Sequence, residues 1–178
     1  SAGLDMTKAQ ALLQLLVTST LVETSYLAKG VEMLEKYGPR RADPLFITKV
    51  SPSVISMQVG MLIGARGPNS AVNSLCASGA DAIGTALNFI RLGYADVMVA
   101  GGSDATLEPT TIAALNILGA LTREADPAKA SRPFDLNRSG FVYGEGTGMV
   151  ILESYEHAMK RNASILAELA GAGWSFDA

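Results

Sequence analysis

The run Asp96-Val97-Met98-Val99-Ala100-Gly101-Gly102 constrains the fold more than any other stretch of the chain. Its hydrophobicity is continuous, not alternating, and it ends in two glycines. Such a strand must be covered on both faces, as in a parallel or mixed sheet between helices. The neighbouring patterns fit. Gly67-Pro68 turns into a strand over 70–75. A helix follows Cys76, with Ile83, Leu87, Phe89 and Ile90 separated by Gly79, Ala80, Ala82, Gly84 and Ala86, and Gly93 closes it. Small residues nearly all round imply burial on several sides. Further elements are expected as a helix over 108–118, a polar turn-rich segment over 125–140, a strand over 148–152, a helix over 153–161 and a strand over 165–170. Strand and helix alternate, so the class is α/β.

Upstream, Ala11, Leu12, Leu15, Leu16, Leu21, Val22, Tyr26 and Leu27 recur at three-to-four spacing. Residues 6–37 therefore read as helix, with Gly30 as a break and Gly38-Pro39 as its end. An amphipathic helix of this kind packs on a core; a lid or partner surface is the functional alternative. Pro44-Leu45-Phe46-Ile47-Thr48 is a short apolar run. Ser51-Pro52 supplies a cap and first-turn proline for a helix over 54–64.

At 178 residues the chain suffices for one domain with a core. It is 48% hydrophobic and only 17% charged, which implies surface hidden in a larger fold or a subunit interface. A net charge of −3 and a pI near 5.1 give no nucleic-acid footprint. One cysteine excludes an internal disulfide and fits a reducing compartment. The start Ser-Ala-Gly shows no signal peptide, and the apolar stretch over 11–22 is broken by Gln14, Thr18 and Thr20. No membrane span is expected, and the expected location is cytoplasmic.

Cys76 sits where the strand hands over to the helix. A thiol at a helix N-terminus meets unpaired N–H groups and the positive end of the peptide dipoles, which favours the reactive thiolate. The same position also suits a small buried hydrophobe. His157, the only histidine, lies in a charged helix and reads as a surface or packing residue; as a base for Cys76 it is the only histidine on offer. One Cys and one His do not make a metal site. Gly144-Glu145-Gly146-Thr147-Gly148 lacks a Lys-Ser/Thr and precedes a strand, so it reads as a crowded turn and not a phosphate loop. Arg132 and Asp135 read as loop ties. Arg40-Arg41 is either a solvated pair or a lure for an acidic partner.

Together, Asn73-Ser74-Leu75-Cys76-Ala77-Ser78-Gly79-Ala80, residues 93–102, Ala120-Leu121-Thr122, Ser131-Arg132-Pro133-Phe134-Asp135, residues 138–146 and Leu152-Glu153 resemble the β-ketoacyl synthases, from about residue 38 to 173. The elbow over 70–80 lacks a Cys-Ser-Ser-Ser signature and looks more like the discrete type II, synthase II-like enzymes. A chain-length factor would carry glutamine at position 76. The resemblance implies a thiolase-like fold, here partial. The whole of 1–178 would be one partial domain from the first half, giving α-β-α layers without the opening strands. The second half would hold two catalytic histidines, a lysine and a second oxyanion amide, none matched here. The stretch over 3–38 looks longer and more helical than its counterpart, and Asn162 replaces a usual glycine.

The function so implied is acyl transfer from acyl carrier protein to Cys76. Decarboxylative condensation with a malonyl thioester would follow, in fatty-acid or polyketide synthesis, by a homodimer without cofactor. Phe46, Ile47, Thr111 and Leu115 match acyl-channel positions. Leu115 stands where a bulkier gating phenylalanine is common. Arg40 and Arg41 match basic positions facing the carrier protein. The isolated chain is expected not to condense. Two other readings stay open: a catalytically incomplete dimerising or carrier-binding protein, and a thiolase-fold enzyme acting on coenzyme A thioesters.

Overall fold

The structure is a computed structural model that describes residues 13–18 and 24–176. These residues fall into two compact units. One contains Ile47–Asp104 and Thr147–Ala178 together with the first strand; the other contains Glu23–Phe46 and Ala105–Gly146.

The first unit is built on a sheet. Among the described residues its strands are β1 (Leu13–Thr18), β2 (Asn69–Ser70), β3 (Val97–Asp104) and β4 (Gly146–Glu153), in the order β2-β1-β3-β4. β1 runs parallel to both neighbours, with Leu13 opposite Val97 and Thr18 opposite Gly102. At one end the Ser154 N–H donates to the Asp96 carbonyl at 2.8 Å; at the other, the Ser103 and Thr147 hydroxyls are 2.6 Å apart. Those two pairings run β4 antiparallel to β3, so the sheet is mixed, as the unbroken apolar run requires.

Helix α1 (Thr24–Tyr37) belongs to the second unit, and α2 (Phe46–Val50) straddles the boundary between units. In the first unit, α3 (Val54–Ile63) packs along β1 and β2, where the Asn69 side-chain amide donates to the Ser56 carbonyl at 2.9 Å. α4 (Ser78–Arg91) packs on β1 and β3. Ala82 and Ala86, one turn apart, meet Met98 and Ala100, two residues apart on one strand face; all four are buried. Ile83, Phe89, Ile90 and Leu152 close over them. Gly84 faces outward from this contact. A methyl there would lie 2.7 Å from the Trp174 ring and 2.9 Å from Ala172 Cβ, which is why the small residues run round the helix. Gly64 and Gly93 end α3 and α4 in left-handed conformation, and Asn162 does the same after α7 (Tyr155–Lys160).

The second unit holds α1, the 3₁₀ turn Pro39–Arg41, α5 (Pro109–Ile117) and α6 (Pro127–Ala130). The Phe46 ring stacks on Tyr26, 5.9 Å between centroids, over Gly30, where a methyl would overlap it. The loop strands meet at a parallel bridge between Leu121 and Phe141.

Several expectations need correction. Of the helix expected over 6–37, the described residues form Thr24–Tyr37, unbroken at Gly30; residues 13–18 are a strand, and 6–12 and 19–23 lie outside the described residues. The opening strands are therefore not all missing, since β1 lies inside the sheet. A short apolar run suits a buried strand and a buried helix equally, and pairing on both sides decides for the strand. The strand over 70–75 contracts to Asn69–Ser70, because the chain must leave the ladder to turn into α4. The run over 44–48 enters α2, and the N-cap position of α3 falls on Ser53, not Ser51, with no side-chain capping bond. Residues 165–170 pair with no strand among the described residues. Leu166 is 97% exposed, and the segment is held instead by Arg91, which donates to the Ala170 carbonyl at 2.6 Å.

Candidate nucleophile elbow and the comparisons

Cys76 is exposed, which removes the buried-hydrophobe reading. It is the middle residue of a 3₁₀ turn, Leu75–Ala77, that leads directly into α4. β2 runs parallel to β1 and β3, so the turn leaves the carboxyl edge of the sheet, where open α/β folds bind ligands. The first turn of α4 approaches that edge closely: a methyl on Gly79 would sit 3.9 Å from the Gly102 backbone nitrogen, in ordinary contact.

The backbone just before the thiol is strained. Leu75 has φ 57°, a left-handed conformation that a branched side chain adopts at a cost of about 1–3 kcal/mol. Two side chains bond it directly, and two more fasten the residue before it. The Leu75 N–H donates to Asn73 Oδ1 at 3.1 Å. The Ser78 hydroxyl, only 2% exposed, donates to the Leu75 carbonyl at 2.5 Å and accepts from the Ser74 N–H at 2.9 Å. The Ser74 hydroxyl in turn donates to the Asp81 carboxylate. The sequence reading missed Asn73, Ser74, Ser78 and Asp81 as a set. The available signal was the Asn-Ser before the cysteine, since both side chains bond nearby backbone in turns.

His157 does not join this turn. Its imidazole Nδ1 is bonded to Glu153, whose carboxylate also accepts from Arg161 Nε at 2.7 Å and Nη2 at 2.6 Å. Arg161 holds the Glu153 carboxyl below its ordinary value; burial opposes the shift and the His157 bond adds to it. Ser154 caps α7 by accepting from the His157 N–H at 3.4 Å. The group is a structural pin at the end of β4.

Thr111 and Leu115 lie one turn apart on α5; Thr111 is buried and Leu115 half-buried. The helix entrance is fixed to the loop that precedes β4: the Thr106 hydroxyl bonds that of Tyr143, and Glu145 accepts from the Leu107 N–H at 2.8 Å. Glu145 is thus an anchor of this turn, but the turn is not crowded as expected: a methyl on Gly144, Gly146 or Gly148 would meet nothing within 4 Å. Phe46 has its ring committed to Tyr26 and Gly30, whereas Ile47 is exposed. Arg40 and Arg41 are exposed on their 3₁₀ turn. Arg132 Nε donates to the Lys129 carbonyl at 2.7 Å, with Glu124 and Asp135 at 3.8 and 4.0 Å, a loop tie as expected. Among the described residues no group of three or more His, Cys, Asp or Glu side chains is placed to hold a metal ion. Among them also, no helix is long and apolar enough to cross a membrane.

An exposed thiol on a strained turn, at the carboxyl edge of a mixed sheet and the start of a helix, defines a class of α/β proteins built around a nucleophile elbow. Residues 1–158 match the family described as Beta-ketoacyl synthase, N-terminal domain, so the chain belongs to the β-ketoacyl synthase family. A mitochondrial 3-oxoacyl-[acyl-carrier-protein] synthase of Arabidopsis thaliana is 47% identical over 141 residues, 78% of this chain and 31% of the relative. The 3-oxoacyl-[acyl-carrier-protein] synthase 2 of Vibrio cholerae is 43% identical over 159 residues, 89% of this chain and 37% of the relative. A solved type II polyketide ketosynthase, bound to a hexaketide and in complex with its acyl carrier protein, superposes with TM-score 0.86 at 35% identity. That match covers 96% of this chain and 44% of the other. The fold is accordingly the thiolase-like fold in part, and the chain spans between about a third and two fifths of these curated relatives.

Proposed function

We propose that Cys76 is the acyl-accepting nucleophile of a 3-oxoacyl-[acyl carrier protein] synthase in fatty-acid or polyketide synthesis. The observation that carries this is the exposed thiol on the braced turn of a chain belonging to that family. The Cys76 sulfur attacks the carbonyl of an acyl thioester on carrier protein; the C–S bond to the carrier breaks, and the carrier thiol leaves with a proton. The Cys76 N–H serves as one oxyanion donor, an interaction worth about 2.7–4 kcal/mol in acyl transfer. Ala77 and Gly79 leave room for the thioester to approach the backbone. A malonyl thioester is then decarboxylated, and its carbanion takes the acyl group from Cys76.

Thr111, Leu115 and Ile47 contribute to the acyl channel. Phe46 contributes through the backbone it anchors, since its ring is engaged by Tyr26 and Gly30. Arg40 and Arg41 meet the acidic carrier protein, whose encounter they speed by charge. The working enzyme is a homodimer in the cytoplasm. Incubating the full-length protein with acyl-carrier-protein thioester and weighing it intact tests the first step. One acyl mass is expected on the wild type and none on Cys76→Ala; equal labelling of both, or of neither, refutes the assignment.

A second reading has one observation in its favour. The single histidine is tied to Glu153, so this chain alone holds no free imidazole for the decarboxylation step. On that reading the chain binds carrier protein or pairs with a partner without condensing. β-Ketoacyl product formed by the full-length protein from acyl- and malonyl-carrier protein decides against it, and labelling of Cys76 without such product supports it.

A further inference from the structure

We propose that Asp81 is a positioning residue for Cys76, acting through Ser74; the inference rests on Cys76 being the acylated group. The strained Leu75 is not held by packing, because its side chain is 61% exposed. It is held by hydrogen bonds, and these form a chain. Ser78 grips the Leu75 carbonyl and the Ser74 N–H from the helix side. Asn73 grips the Leu75 N–H from the strand side. Ser74 lies between the two, and its hydroxyl is fastened to the Asp81 carboxylate in the first turn of α4. Asp81 is an acid at the positive end of the helix, so it is well placed electrostatically without any substrate. Its bond to Ser74 anchors the loop to the helix on the exposed side.

The consequence concerns orientation. Attack on a thioester needs the sulfur and the carbonyl carbon aligned at about 3–3.5 Å, and misplacement by about 1 Å costs on the order of a hundredfold in rate. Loss of the Ser74–Asp81 bond frees Leu75 to leave its left-handed conformation and swings Cys76 with it. Alkylation by a small reagent has no such demand. Asp81 therefore governs acyl transfer more than thiol access.

The test uses the full-length protein with octanoyl-pantetheine as acyl donor and iodoacetamide as orientation-tolerant probe, both read by intact mass. Asp81→Ala and Ser74→Ala are expected to lower the single-turnover acylation rate at saturating donor about tenfold or more, with alkylation within about twofold of wild type. Asp81→Asn keeps an acceptor for the Ser74 hydroxyl and restores most of the acylation rate. Wild-type acylation rates in both alanine variants overturn the proposal, as does an Asp81→Asn variant as slow as Asp81→Ala. Equal loss of acylation and alkylation overturns it too, because it marks general damage to the turn. If the wild-type protein itself takes no acyl group on Cys76, the assignment of Cys76 fails first, and the two failures are distinct.

Discussion

At the scale of single residues, the energetics of the elbow unit are set by positions where one added atom or one lost bond has a calculable effect. Gly101 and Gly79 make a pair of opposites. A methyl on Gly101 would overlap the Gly148 carbonyl oxygen and lie 2.9 Å from Met149 Cα, both backbone atoms of the neighbouring strand. Gly101→Ala should therefore cost about 1–3 kcal/mol or more, seen as a lowered urea midpoint. A methyl on Gly79 meets only the Gly102 nitrogen at 3.9 Å, so Gly79→Ala should leave stability unchanged or raise it by up to about 1 kcal/mol. If Gly79 is small to admit the thioester, that variant will still acylate slowly; a fast, stable Gly79→Ala protein would mean the glycine serves packing alone. Glu153 gives a residue-level pH dependence. Its carboxylate side chain is 9% exposed, and Arg161 holds it below the ordinary carboxylate value. A depressed group stabilises the fold above its unfolded value, near 4.3, and loses that contribution as pH falls through the lowered folded value. Arg161→Ala should cost about 1.5–3 kcal/mol at neutral pH, the range for bonds to charged groups. The gap between wild type and variant should close in acid. A gap that persists unchanged below the carboxylate range would show that Arg161 acts by packing.

At the scale of elements, the sequence was most informative where a helix or strand carries its own punctuation. The turn at Gly93, the start of α5 at Pro109 and the unbroken apolar run of β3 were all legible, because glycine, proline and continuous hydrophobicity act locally. What escaped was set by partners. β1 reads as helix by spacing, yet it lies between two parallel neighbours. Residues 165–170 read as strand, yet no described strand pairs with them. The position of Cys76 was legible as a strand-to-helix handover, whereas the brace around Leu75 was not, since it joins residues two to seven apart through side chains that sequence alone leaves free to face water. α4 shows the same limit in miniature: its small residues announced burial, but only the structure says that Ala82 and Ala86 meet β3 while Gly84 admits Trp174. A test follows at this scale. Gly84→Ala gains about 1 kcal/mol of helix propensity and loses a similar amount by pushing against Trp174. Because Trp174 is half exposed, it is the side that yields. The expected result is a near-unchanged melting temperature with red-shifted emission from this single tryptophan; unshifted emission would place the accommodation in α4 instead.

For the whole molecule, the decisive quantity is the apolar surface that the chain leaves uncovered. Leu62, Ile117, Phe134, Leu136, Leu166 and Phe176 are each more than four-fifths exposed. Scattered exposed apolar residues are ordinary, but side chains of this size exposed so fully and in such number are not. They account for a composition that is 48% hydrophobic with 17% charge. The chain also covers only 44% of the solved ketosynthase chain it superposes on. Apolar side chains exposed in this number favour association. The physical consequence can be measured on the 178-residue chain itself. Its mass is 18.5 kDa, and it should elute as a larger species and bind a hydrophobic dye, with salt strengthening both effects because burial of apolar surface strengthens in excluded salts. Chemistry should separate in the same preparation. If Cys76 is the acylated group as proposed, the elbow and its brace are present in this chain and some labelling by thioester should survive, whereas the proposed condensation needs acid–base groups that a histidine bound to Glu153 does not supply. A monomeric, dye-silent chain would refute the surface argument, and β-ketoacyl product formed by this chain without any partner would refute the chemical one.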